Sequence, residues 1–258
     1  MRVGVFQCAG GGLTPEQRLG KLANAVKEND LDLMVCPELF LSGYNVGADV
    51  AALAEPAEGL FAEQVKQIAQ SSGTAIVYGY PEKHGDQVYN SAACISRQGQ
   101  LLANHRKLMI PPGYEEQYFD SGSGVSLFDL GGMTCGLLVC FDAEFPEAVR
   151  ATVQAGAQLV IVPTALGEKW PVVAEKVMPA RAFENGVWIV YANHAGEENG
   201  ARFLGSSCII APDGSDGARA GVQEQVIFCD VDEASVLRAQ NRLPFLPLSA
   251  VLKGRIGE

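Results

Sequence analysis

The chain has 258 residues, 48% of them hydrophobic, and a formal charge of −11 at neutral pH. That apolar content supplies a sizeable core and argues against a disordered adaptor. The acidic balance, without Lys and Arg clusters, argues against nucleic acid as a partner, and no run approaches the ~18 apolar residues of a membrane span.

The seven cysteines, at positions 8, 36, 94, 135, 140, 208 and 229, are odd in number and mostly lie inside apolar runs. There is no CxxC pair, and His84, His105 and His194 are far from any cysteine pair, so no metal site is expected. Scattered thiols of this kind predict a reducing, cytoplasmic setting. The first residues run straight into a strand pattern, without the charged and apolar regions of a leader peptide.

In chain order, residues 2–7 read as a buried strand. The Gly10-Gly11-Gly12 run suggests a dinucleotide loop, but the third glycine of that pattern would fall at Pro15. Thr14-Pro15-Glu16-Gln17 reads better as a capping box opening a helix with Leu19, Leu22, Ala23 and Val26 on its apolar face. Residues 31–36 form the next strand, ending at Pro37-Glu38. Phe61, Val65, Ile68 and Ala69 mark a second helix leading to a strand over 75–79. A hairpin over 88–96 and 100–105 turns at Arg97-Gln98-Gly99.

Asn104-His105-Arg106-Lys107 closes that hairpin; three basic positions in a row ordinarily make a solvated face. Residues 111–122 read as a long ordered loop, the kind that carries function in compact domains. Strands over 125–130 and 133–139 deliver Cys140, after which Pro146 opens a helix stopped by Gly156. Further elements are a strand over 159–162, a helix over 170–184, and strands over 187–193, 206–210 and 225–231. The tail with Pro244 and Pro247 reads as irregular. Hairpins interrupt the strand–helix alternation, which predicts an α/β fold of two mixed sheets covered by outer helices.

Glu38, Lys107 and Cys140 each follow an apolar strand directly. Strands of one fold bring such ends together, and a glutamate, a lysine and a cysteine suffice for acyl transfer. A thiol, with an ordinary pKa of about 8.5, needs a base. Glu38 is suited to that role and Lys107 to stabilising an oxyanion. Backbone N–H groups just past Cys140 are not committed to helix bonds and are available to negative charge.

The segments Pro37-Glu38-Leu39-Phe40, His105-Arg106-Lys107 and Cys140-Phe141-Asp142-Ala143-Glu144-Phe145-Pro146-Glu147 resemble those of the carbon–nitrogen hydrolase (nitrilase) superfamily. So do Arg181-Ala182-Phe183-Glu184-Asn185, Tyr191-Ala192-Asn193 and Pro212-Asp213-Gly214, in order along nearly the whole chain. The resemblance implies one domain over residues 1–258, a four-layer α-β-β-α sandwich, and a homodimer or higher homo-oligomer. It implies Glu38 as general base, Lys107 as cation and Cys140 as the nucleophile of a thioester, with the Phe141 N–H sharing the oxyanion. A second glutamate after the lysine is placed at Glu115, with Glu116 the alternative. No metal or organic cofactor is implied.

Phe141-Asp142, where nitrilases proper have Trp-Glu, resembles the amide-cleaving branches. Tyr44-Asn45-Val46-Gly47 and residues 77–82 bring the likeness closest to 5-aminopentanamidase and R-stereoselective amidases. Arginine at position 143 or 144 would suit a substrate carboxylate; Ala143 and Glu144 instead favour a neutral or amine-bearing amide. The expectation is therefore hydrolysis of a small primary carboxamide. N-carbamoyl amines and dicarboxylic acid monoamides are the alternatives, and a non-catalytic binding protein is disfavoured by the intact Glu–Lys–Cys set. Tyr44, Trp170 and Asn193 are candidate pocket residues; Trp170 also suits a helix start and Asn193 a turn. Asp142 is expected to brace the Cys140 loop, and Arg181 and Glu184 to pair along one helix face.

Overall fold

Strict alternation of side chains along the strands decides the layering. On the first strands Val3, Val5, Leu33, Val35, Ala75 and Val77 belong to one apolar cluster, while Phe6, Met34, Cys36, Ile76 and Tyr78 belong to another. Since successive side chains point to opposite faces, a strand apolar at both parities is buried on both faces. The computed structural model describes residues 1–256.

The first half of the chain holds β1 (Arg2–Gln7), α1 (Pro15–Glu28), β2 (Leu33–Val35), α2 (Asp49–Ala52), α3 (Leu60–Ser72), β3 (Ala75–His84), β4 (Gln87–Ile95) and β5 (Leu101–Arg106). Next come β6 (Ser126–Leu130), β7 (Met133–Leu137), α4 (Pro146–Gln154), β8 (Leu159–Pro163), α5 (Met178–Asn185) and β9 (Trp188–Ala192). Then follow β10 (Glu197–Glu198), β11 (Ala201–Arg202), β12 (Cys208–Ile210), β13 (Asp216–Arg219), β14 (Gln225–Asp230), α6 (Glu233–Arg242) and α7 (Phe245–Ile256).

One sheet has the order β14-β1-β2-β3-β4-β5 and the other β13-β12-β9-β8-β7-β6, both mixed. Cys94 of the first sheet and Cys135, Leu137, Leu159 and Ile161 of the second share the inter-sheet core. Leu19, Leu22 and Val26 of α1 and Phe61, Val65 and Ala69 of α3 cover the first sheet's outer face. Val149 and Val153 of α4 and Met178 and Ala182 of α5 join the core around the second sheet. Two mixed sheets flanked by helices are the architecture expected from the sequence. No helix among the described residues is long and apolar enough to cross a membrane.

The capping box forms as the sequence predicts: Gln17 N–H donates to Thr14 Oγ1 at 3.3 Å and Thr14 N–H to Gln17 Oε1 at 2.9 Å. The glycines before it make room for a buried arginine, since a Cβ on Gly10 would lie 2.1 Å from Arg18 Nη1. The tail departs from expectation. It forms two helices, because Asp232 caps α6 by accepting the Ser235 N–H at 2.7 Å. Pro244 falls between α6 and α7, and Pro247 lies in the first turn of α7, where no N–H is needed. The helix expected over 170–184 contains a π-type turn, Val173–Val177, that runs into α5.

Gly79 on β3 lies against the chain that leaves β2. A Cβ there would be 2.4 Å from Leu39 N and 2.7 Å from Glu38 Cα. Backbone cannot yield as a side-chain tip can, so Gly79→Ala is expected to cost about 2 kcal/mol as an overpacked core. The check is the urea midpoint at constant slope; an unchanged midpoint would show that the β2 exit relaxes freely.

Candidate active site

Four chain segments deliver the site. After β2, Cys36 N–H still bonds Val77 O at 2.8 Å. The chain then breaks away at Pro37-Glu38, and Leu39 takes the left-handed region at φ 49°. Lys107 follows β5 directly, its N–H held by Asn90 O at 2.8 Å. Glu115 opens a short 3-10 turn, Glu115–Gln117, in the loop after Lys107. Cys140 begins the turn Cys140–Glu144 and is itself left-handed at φ 46°. For a residue with a Cβ this conformation is uncommon and held by its surroundings.

These residues meet out of solvent. Lys107 Nζ lies 2.7 Å from Glu38 Oε1 and 2.7 and 2.8 Å from the two oxygens of Glu115. Asn90, on β4, donates to Glu38 Oε1 at 2.7 Å and to Glu115 Oε2 at 3.0 Å. Glu38, Lys107 and Asn90 are each 0% exposed and Glu115 1%. Glu38 Oε2 is buried without a hydrogen-bond partner, which leaves one carboxylate oxygen available to a proton. Of the two candidate glutamates, Glu115 is the one on Lys107, while Glu116 turns outward to cap the Gly113 N–H at 2.9 Å. The basic run is not a solvated face: His105 and Lys107 are buried, and Arg106 pairs with Glu82 at 2.6 Å.

Charge follows from this packing. Burial raises Glu38, Lys107 opposes and Glu115 adds to the rise, leaving its carboxyl at about 7. Burial alone would lower Lys107, but Glu38, Cys140 and Glu115 together hold its ammonium well above the usual range. Burial pushes the Cys140 thiol up, with Glu38 adding and Lys107 opposing.

Asp142 ties the cysteine turn to the lysine strand. Its Oδ1 accepts the Leu108 and Met109 N–H groups at 3.0 and 2.9 Å; its Oδ2 accepts the Val139 N–H at 3.1 Å and lies 3.3 Å from His105 Nε2. It braces the loop and does not face the cavity. Among the described residues nothing accepts the Phe141 N–H, since the turn's bonds begin at Asp142 N–H on Val139 O. Arg181 holds the far end of the turn, donating to Ala143 O and Glu144 O at 3.2 and 2.7 Å and pairing with Glu184 at 3.1 Å.

A cavity of about 630 Å³ opens on Cys140 and is lined by Tyr44, Glu115, Phe141, Glu144, Trp170 and Phe203, among others. Tyr44 Oη donates to Glu115 Oε1 at 2.8 Å, so it closes the lysine's environment as well as lining the wall. Trp170, 62% exposed, stands at the mouth. Asn193 is not at the cavity. Its amide is spent on Leu166 N–H and O, Gly205 O and His194 N–H, which makes it a brace between loops.

Several supporting residues were not singled out as site candidates in the sequence. Glu198 takes the Tyr44 and Asn45 N–H groups at 2.6 and 2.8 Å on one oxygen and Arg18 at 2.9 Å on the other. His194 Nε2 donates to Glu38 O at 2.7 Å; burial lowers this imidazole to about 4, so it is neutral and keeps the proton that the carbonyl needs. Asn90, Thr164 and Tyr191 complete the shell. Each lies in or just beyond an apolar strand, where only strand register reveals its neighbours.

A protein-family profile described as carbon-nitrogen hydrolase matches residues 2–240. A hydrolase in the pqqF 5' region of Pseudomonas protegens is 43% identical over 94% of this chain and 87% of its own. An (R)-stereoselective amidase from a Pseudomonas species is 32% identical over 92% and 88%. An amidase from Nesterenkonia sp. AN1 superposes with a TM-score of 0.85 at 33% identity, over 96% of this chain and 99% of that one. Its solved forms include a cysteine-to-alanine mutant in complex with butyramide. They also include a glutamate-to-glutamine mutant carrying acrylamide on the active-site cysteine.

Asp142→Ala should destabilise the fold by about 3 kcal/mol, since it strands three backbone donors at once, that of Val139 fully buried. Thermal and urea unfolding of the variant check this; a loss below about 1 kcal/mol would mean that water replaces the carboxylate and that the brace is not structural.

Proposed function

Because the chain belongs to the carbon–nitrogen hydrolase (nitrilase) superfamily and is an amide-hydrolysing enzyme, we propose that it cleaves small primary carboxamides whose far end is neutral or cationic. The proposed nucleophile is Cys140. Glu38 takes the thiol proton on Oε2, and the thiolate attacks the amide carbonyl. The Phe141 N–H is the donor to the oxyanion, and Lys107, its ammonium already within 2.8 Å of three carboxylate oxygens, contributes chiefly charge. Glu38 returns its proton to the departing ammonia. Water then loses a proton to Glu38 and cleaves the thioester, releasing the carboxylate. Glu115 fixes Lys107 directly and Glu38 through Asn90.

The observation that carries this reading is the unpartnered Glu38 Oε2 in a buried cluster where Glu38 Oε1, the Lys107 ammonium and both Glu115 oxygens are taken. A base near pH 7 suits thiol chemistry at neutral pH. For the acyl group the decisive feature is Glu144. It is half-buried in the cavity wall, burial raises its carboxyl, and among the described residues no hydrogen bond or ion pair satisfies it. An ammonium at the end of a short chain, as in 5-aminopentanamide, would satisfy it. A second reading has one observation in its favour. Arg202 lines the same cavity and would suit a carboxylate, but it is tied to Glu197 at 3.0 Å. Exposed Phe183, Phe245, Leu248, Val251 and Leu252 support assembly as a homodimer or larger homo-oligomer.

Ammonia release from 5-aminopentanamide, butyramide, glutaramate and N-carbamoylputrescine is the test, with Cys140→Ala as the blank. Preference for 5-aminopentanamide, lost at least tenfold in KM in Glu144→Gln, is the expected result. Preference for glutaramate would transfer recognition to Arg202. Near-native turnover by Cys140→Ala would end the mechanism. Glu38 must be ionised to accept a proton, so kcat/KM should fall as pH drops through about 7; an acid limb in the ordinary carboxylate range, about 4, would remove Glu38 as the base. A monomeric mass by light scattering would refute assembly.

A further inference from the structure

Two buried hydroxyls at the sulfur have no part in the chemistry above. Thr164 follows β8 and is 0% exposed. Its N–H donates to Ala192 O at 2.8 Å and its carbonyl accepts the Glu38 N–H at 3.4 Å, so its backbone is fixed from both sides of the site. Its Oγ1 is 2.9 Å from Cys140 Sγ and 3.0 Å from Tyr191 Oη. Tyr191, on β9, is also 0% exposed, and among the described residues Thr164 is the only hydrogen-bond partner of its phenol.

The three atoms Oη, Oγ1 and Sγ form a line with two hydroxyl protons to place. If Thr164 donates to Tyr191, the phenol proton points into the core with no acceptor, a costly arrangement for a buried group. If Tyr191 donates to Thr164, the Thr164 proton is released toward the sulfur and both hydroxyls are satisfied. That arrangement casts the sulfur as an acceptor, a strong one when it is a thiolate and a weak one as thiol or thioester.

We propose that Thr164, aligned by Tyr191, is a further catalytic residue: its O–H holds the Cys140 thiolate when it forms and again when it is expelled from the thioester. The proposal rests on Cys140 being the nucleophile. In the first step the S–H bond breaks, its proton goes to Glu38, and the S–C bond forms as the carbonyl electrons move to oxygen. In the last step the C–S bond breaks, the electron pair returns to sulfur, the water-derived oxygen stays on the product, and the proton that Glu38 took from water then passes to the thiolate. The Thr164 proton stays on Thr164 throughout. Of the groups facing the sulfur, Glu38 and Glu115 disfavour its charge, while Lys107 and the Thr164 hydroxyl favour it. Tyr191 is a positioning residue, acting through Thr164.

Thr164→Val keeps the shape and removes the donor. The readouts are the pH midpoint for iodoacetamide alkylation of Cys140, followed on the Cys140 peptide by mass spectrometry, and kcat/KM on the best substrate of the panel. The midpoint should rise by about one unit and kcat/KM fall about tenfold or more, mainly in kcat, as for a lost bond to a charged group. Thr164→Ser should restore both. Tyr191→Phe should act in the same direction by about threefold and add nothing to Thr164→Val in the double variant. An unmoved midpoint in Thr164→Val with a native circular dichroism spectrum would overturn the proposal. So would a Tyr191→Phe effect that multiplies with it. Turnover persisting in Cys140→Ala would instead end the reading of Cys140 itself, whatever Thr164 does.

Discussion

A lysine ammonium with no solvent exposure is the constraint around which this molecule is arranged. Taking a cation out of water costs several kcal/mol, and opposite charge must offset it at close range. Lys107 has two carboxylates within 2.8 Å. Two carboxylates around one ammonium leave a negative charge over, and burial makes that charge costly at Glu38, raising its carboxyl to about 7. The same desolvation that makes the cluster expensive thus suits one of its members to the proposed role of base at neutral pH. Removing either carboxylate would strip hydrogen-bond partners from a buried ammonium, so stability and chemistry are not separable here.

Holding those charges together takes connections that cross both sheets. Asp142 joins the turn of Cys140 to the residues after Lys107. His194, from beyond β9, holds the carbonyl of Glu38, and Glu198 fastens the Tyr44 loop to α1 through Arg18. Leu39 and Cys140 are both left-handed, one beside the proposed base and one at the proposed nucleophile. Strain of that kind persists only where neighbours over-determine it. Here the neighbours are Gly79, which leaves room for the first, and Asp142, which fixes the second.

The sequence made the layers and three of the four central residues legible for a local reason. Strand periodicity, a capping box, and polar residues placed directly after apolar runs are short-range signals, and Glu38, Lys107 and Cys140 all carry one; Glu115 was placed by the family resemblance. Asn90 does not: it lies within an apolar strand, opposite Pro81, and its role follows from cross-strand register. Thr164 and Tyr191 likewise read as strand residues until β8 and β9 are aligned. Asn193 was legible as a polar residue at a strand end but not in its direction, because which loop takes its amide depends on contacts twelve and more residues away. The helical tail was obscured by its prolines, and α6 became apparent only with the Asp232 cap in place.

The edge of the first sheet is closed by β14, which runs antiparallel to β1 from Arg2↔Asp230 to Gln7↔Gln225. A strand is therefore completed by one more than 200 residues later in the chain. At synthesis rates of about 5–20 residues per second, β1 waits roughly 10–50 s for its partner, with its hydrogen-bonding edge open. Helix α1 and β2 can shield its faces meanwhile, but nothing nearer in the chain replaces that edge. Until then the nascent chain carries an open strand edge, the kind of surface a chaperone covers.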